Sequence, residues 1–164
     1  EGRAMSESAE ELYSLLIPLD GMRLLLPRAC IAEVIGYHSP VPVEGCPPWL
    51  LGYADWSGRA IPVVSFEGSA GRPVAELGAR CKIVILQAIG GQLAIPHFGV
   101  VAQGFPQLVR VSRDVLSVDD TQNFAEDDVS LCQLQMLNER PLIPDLERLE
   151  AMIHAALSQR TLTV

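Results

Sequence analysis

Short aliphatic runs, broken at close intervals by glycine and proline, make up most of this chain. Tyr13–Leu19 and Met22–Leu26 are joined by Asp20-Gly21, a dipeptide whose tolerance of positive φ predicts a tight hairpin. Pro27 starts a short helical turn, and Ile31–Ile35 reads as a strand ended by Gly36. Residues 39–48 carry four prolines in ten positions, which bars them from a sheet interior and predicts an ordered, extended loop. Trp49–Asp55 and Ala60–Phe66 form a second hairpin around Ser57-Gly58, and residues 67–79 are the longest polar loop, a seam between two lobes. Beyond it, Cys81–Ala88 and Gln92–Pro96 make a third hairpin across Gly90-Gly91. Val100–Gln103 and Leu108–Val111 are shorter runs, and an acidic loop follows from Asp119 to Asp128. Val129–Leu137 and Arg140–Ile143 make a fourth hairpin across Asn138-Glu139. Strands of this kind, with turn signals every ~8–12 residues, predict an all-β barrel or sandwich. The end of the chain differs. Leu146, Leu149, Met152, Ile153, Ala156 and Leu157 recur at helical spacing, so 145–158 is predicted as a helix with Asp145 as N-cap. Its apolar stripe is read as closing the barrel rather than as facing a partner.

Composition narrows the class. The 164 residues carry 12 Lys+Arg against 20 Asp+Glu, a formal charge of −8, and the length suits one domain or two small lobes sharing a core. An acidic chain without a Lys/Arg cluster argues against a nucleic-acid partner, whose phosphates need clustered cations. Hydrophobic content of 49% with 20% charged residues excludes a disordered chain. The most apolar stretch, Ile83 to Ile95, is broken by Gln87, Gly90, Gly91 and Gln92, short of the ~18 residues that cross a bilayer, so no membrane insertion is expected. Residues 1–11 read as a loose tail, in which Met5 is expected to be the natural initiator and Glu1–Ala4 a cloning remnant. The start has no apolar h-region, and a cytoplasmic location is expected. Cys30, Cys46, Cys81 and Cys132 contain no C-x-x-C pair and read as reduced thiols, Cys81 and Cys132 as small core residues.

Candidate chemistry is sparse. His38, His97 and His154 lie in unrelated contexts without a second ligand type at metal spacing, and no phosphate-binding glycine motif occurs. No metal or cofactor is expected. An enzyme reading has only a thiol–imidazole pair of His97 with Cys81 or Cys132 to rest on, and it is the weakest alternative. The aromatic residues are more informative: Trp49, Tyr53 and Trp56 lie within eight residues, directly after the proline loop. Such residues are either anchors of a protein-binding surface or packing between the lobes, and the sequence leaves both open for Trp49 and Trp56.

Four pieces, Glu33-Val34-Ile35, Pro40-Val41-Pro42, the turn from Gly52 to Gly58, and Pro62-Val63, stand in an order and spacing that resembles the CheW-like family, the chemotaxis adaptor that couples chemoreceptors to a histidine kinase. The resemblance spans about residues 12–153. It implies an all-β fold of two intertwined five-stranded SH3-like barrels with a C-terminal helix. It also implies a non-catalytic adaptor without cofactors, recruited to membrane-associated receptor arrays. The implied partners are a chemoreceptor cytoplasmic tip and a CheA-type histidine kinase regulatory domain. The residues expected to bind partners are Glu33, Val34, Ile35, Trp49, Gly52, Asp55, Trp56, Ser57, Gly58, Pro62 and Val63. Three departures from the family pattern stand out. Asp55 and Ser57 stand where the turn usually carries Asn and Arg, Ser65 where an Asp usually follows, and Pro96-His97 where a V-D pair is usual. Loss of a bidentate donor and gain of an acid suggest an altered partner, as in a pilus-type (type IV pili, twitching motility) or other non-flagellar chemosensory system. The alternative is a stand-alone β-barrel interaction module with an unrelated partner.

Overall fold

A computed structural model describes residues 12–111, 117–118, 130–135 and 140–162. Eleven strands are described in this order: β1 Leu12–Pro18, β2 Arg23–Pro27, β3 Ile31–Gly36, β4 Leu50–Trp56, β5 Arg59–Val64, β6 Lys82–Gln87, β7 His97–Ala102, β8 Gln107–Val111, β9 Ser117–Val118, β10 Ser130–Gln135 and β11 Leu142–Pro144. A 3₁₀ turn, Arg28–Cys30, follows Pro27 as expected, a short helix covers Phe66–Ser69, and a C-terminal helix runs Leu146–Leu162. They form two sheets, ordered β8-β1-β2-β11-β10-β9 and β3-β6-β7-β5-β4. The all-β architecture with a terminal helix agrees with the sequence reading. The correction concerns closure: one sheet has six strands rather than five, and among the described residues neither sheet closes its hydrogen-bonded ladder into a barrel.

Burial explains why β5, β6 and β7 read as near-continuous aliphatic runs. One face of the five-stranded sheet, with Val64, Val84, Leu86, Phe98 and Val100, packs against the β1–β2 hairpin (Ile17, Leu24, Leu26) and against Leu149, Ile153 and Ala156 of the C-terminal helix. The other face curls on itself around Ile61, Val63, Ile83, Ile85 and Val101. Strands covered on both faces lose the polar/apolar alternation of a half-exposed sheet. The helix therefore closes the core, as expected. It is longer than the 145–158 predicted, and Asp145 caps it through Oδ1, which accepts the Arg148 N–H at 3.0 Å.

Three local expectations are overturned. The strand predicted to run through Phe66 stops at Val64, because Ser65 Oγ accepts the Gly68 N–H at 3.2 Å and turns the chain into a helix. The seam at 67–79 accordingly begins inside the protein: Glu67 is buried, and its Oε2 accepts the Asp20 N–H of the β1–β2 turn at 2.9 Å. The third hairpin pairs β6 with His97–Ala102 rather than with Gln92–Pro96. There the buried Glu150 of the helix accepts the Gly90 and Gln92 N–H groups at 2.8 and 2.7 Å and keeps them out of a ladder. The turn at Asn138-Glu139, the acidic loop 119–128 and the tail 1–11 lie outside the described residues. No described helix is long and apolar enough to cross a membrane.

Candidate protein-docking site

The β4–β5 hairpin places most of the expected site. Its turn residues Ser57 and Gly58 both take positive φ, 51° and 76°, the mirror-image turn that matches strand twist. Replacing Gly58 by Val, a β-branched residue that rarely adopts this φ, is expected to cost about 1–3 kcal/mol. Urea unfolding checks this, and wild-type stability would refute the turn.

Alternation along the hairpin sorts its side chains to two faces. Trp56 and Arg59 are opposite one another on the face turned to the second core, while Tyr53 faces Pro62 and Asp55 faces Ala60 on the other side. Trp56 is half-buried, and its indole N–H donates to Glu33 Oε1 at 3.1 Å. A bulge between Ile31 and Glu33 in the pairing with β6 turns Glu33 outward. Since β3 and β4 are the two outer strands of the five-stranded sheet, this hydrogen bond joins its edges by side chains where the ladder does not. The Trp56 ring also lies against His97, with centroids 4.7 Å apart and planes tilted by 57°, and His97 Nδ1 is buried without a hydrogen-bond partner among the described residues.

Other expected site residues are placed differently. Val34 packs against the first core and Ile35 against the second. Trp49 packs against the first core, and its backbone C=O accepts the Ser65 N–H at 2.8 Å. Gly52 and Pro62 are buried, and Val63 is 0% exposed, enclosed in the second core. Val63 and Gly52 therefore support the hairpin from within rather than from its surface. Asp55, Ser57, Gly58 and Glu33 are exposed.

The outer face of the hairpin borders a feature that sequence reasoning missed. Tyr53, Ala60 and Pro62, with Leu93, Ala94, Ile95 and Leu157, line an open apolar pocket of about 220 Å³. Its members come from two strands, an irregular loop and the end of a helix, and no sequence period links them. The placing of His97 against Trp56 was likewise hidden, because it follows from the parallel pairing of β5 with β7. Of the thiols weighed for pairing with His97, Cys81 is buried, and its Sγ lies toward the Glu76 carbonyl at 3.7 Å and Gln103 Oε1 at 3.9 Å.

Comparison with known proteins places this geometry. The family model described as "CheW-like domain" matches residues 14–149. Among solved structures, the crystal structure of scaffolding protein TtCheW from Thermoanaerobacter tengcongensis superposes with a TM-score of 0.67 at 13% identity, covering 81% of this chain and 88% of that one. No curated protein matches the chain significantly.

Proposed function

The chain belongs to the CheW-like domain family, and from that premise we propose that it is a non-catalytic chemotaxis adaptor that holds a chemoreceptor cytoplasmic tip and the regulatory domain of a CheA-type kinase in one complex. The observation that carries this reading is the extent of the family match, residues 14–149, which takes in the two sheets and the start of the terminal helix rather than an isolated motif. The exposed hairpin turn, the Glu33–Trp56 edge and the pocket offer side chains to a macromolecule. The adaptor acts at receptor arrays from the cytoplasm, and the departures at Asp55 and Ser57 favour a pilus-type or other non-flagellar pathway.

Co-elution tests the reading. At tens of micromolar, the protein is expected to shift on size-exclusion chromatography with its cognate receptor's cytoplasmic fragment and, separately, with the kinase regulatory domain; no shift with either ends the proposal. Glu33→Arg is expected to weaken at least one of these complexes ~10-fold or more. Because Glu33 is exposed, losing its bond to Trp56 should cost no more than about 1 kcal/mol of stability. An unfolded variant would show that Glu33 holds the sheet edge instead.

A further inference from the structure

We propose that the pocket beside the β4–β5 hairpin receives one large aliphatic side chain of a partner protein, and that Asp55 selects partners carrying lysine or arginine next to it. The inference deepens the adaptor reading and rests on it for the partner being a protein. Cofactor and drug-sized ligands occupy roughly 300–1,000 Å³. At about 220 Å³, with a lining whose only side-chain polar group is the Tyr53 hydroxyl, the pocket suits a single apolar side chain.

Charge supplies the selectivity. Asp55 shares the face of Tyr53 and lies directly opposite Ala60, and both of those residues line the pocket. Cross-strand Cβ atoms stand ~4.5–5.5 Å apart, so the carboxylate belongs to the pocket's rim. Asp55 is exposed and makes no ion pair among the described residues. The one basic residue of the hairpin, Arg59, is paired with Trp56 on the opposite face, so it does not neutralise this rim. A partner that covers the pocket must partly desolvate Asp55. A cation beside the inserted side chain compensates that loss, whereas an acid adds like-charge repulsion. Ser57, exposed at the turn, adds no charge to oppose the cation.

Two synthetic helical peptides provide the test, each with one central leucine, flanked by lysines in one and by glutamates in the other. They are titrated into ¹⁵N-labelled full-length protein. The lysine peptide is expected to shift the amides of Tyr53, Ala60, Ala94, Ile95 and Leu157 and to bind at least ~10-fold more tightly than the glutamate peptide at low salt. Asp55→Asn should reduce that ratio below ~3-fold, and Asp55→Arg should invert it, with the remaining spectrum unchanged. Equal binding of the two peptides, shifts located elsewhere, or no shift at millimolar peptide would overturn the proposal. Pull-downs with the receptor fragment and kinase domain separate the two ideas. If wild type and Asp55→Arg bind them equally, the Asp55 assignment falls and the adaptor reading stands. If neither partner binds while the peptide preference persists, the adaptor reading falls and the pocket assignment stands.

Discussion

Gly52→Ala is expected to destabilise the protein by about 2–6 kcal/mol and to leave much of it unfolded at 37 °C. Gly52 has φ +139°, a backbone conformation that L side chains rarely adopt, so any substitution begins with strain of about 1–3 kcal/mol. The space is closed as well: an added Cβ would collide with the carbonyl carbon and oxygen of Val41 and meet Pro42 Cα at 3.0 Å. That approach is built into the fold. Val41 and Tyr53 exchange both backbone hydrogen bonds, at 2.7 and 2.9 Å, and so clamp the proline loop over β4. The loop has little freedom to retreat, because Pro40 and Pro42 fix their own φ and restrict the residues before them. Overpacking a site that neither side can vacate adds about 1–3 kcal/mol more. Urea unfolding monitored by circular dichroism measures the loss, and a variant within 1 kcal/mol of wild type would show that the loop moves freely. The family pattern draws attention to this glycine as part of a binding turn; its physical duty is to let the proline loop lie against the strand.

Glu150→Ala carries the second large effect, expected at about 2–4 kcal/mol, with Glu150→Gln losing roughly half of that. Glu150 is 1% exposed, and its two oxygens take one backbone N–H each, from Gly90 and Gln92. Hydrogen bonds to a charged group contribute about 1.5–3 kcal/mol each, reduced here because Gly90 and Gln92 themselves reach solvent. Alanine leaves both donors without a protein partner. Glutamine keeps one acceptor oxygen and turns its NH₂ toward the other donor, so only one bond survives. The 88–96 connection should loosen first, and hydrogen exchange at the Gly90 and Gln92 amides should accelerate before global unfolding. Unchanged exchange at both sites would mean that the loop holds itself without the helix. Leu93, Ala94 and Ile95, which line the pocket, follow this anchor directly, so the same variant should also weaken peptide binding there.

Local turn chemistry was readable. Asp20-Gly21 and Ser57-Gly58 sit at hairpin turns, Pro27 precedes a 3₁₀ turn, and Asp145 caps the helix, because each acts through its own backbone or that of its neighbours. Features that depend on distant partners were not readable. The stretch Gln92–Pro96 has strand-like composition, yet Glu150, 58 residues further along from Gln92, claims its backbone. Glu67 looked like loop surface, but it is buried against the turn at Asp20. The expected site fared in the same way. Glu33, Asp55, Ser57 and Gly58 are exposed, whereas Val63 lies on a strand covered on both faces, and only the sheet order shows this. The pocket draws on four separate segments, so no single stretch of sequence carries its signature.

An adaptor is defined by bridging, and a three-component sedimentation experiment measures bridging directly. Receptor cytoplasmic fragment assembled on vesicles is mixed with the kinase regulatory domain, with and without this protein, and the kinase domain in the pellet is quantified. Kinase sedimentation is expected to rise severalfold when the protein is added, and Asp55→Arg is expected to abolish the rise. Sedimentation of the kinase domain that is the same with and without the protein would contradict the adaptor reading.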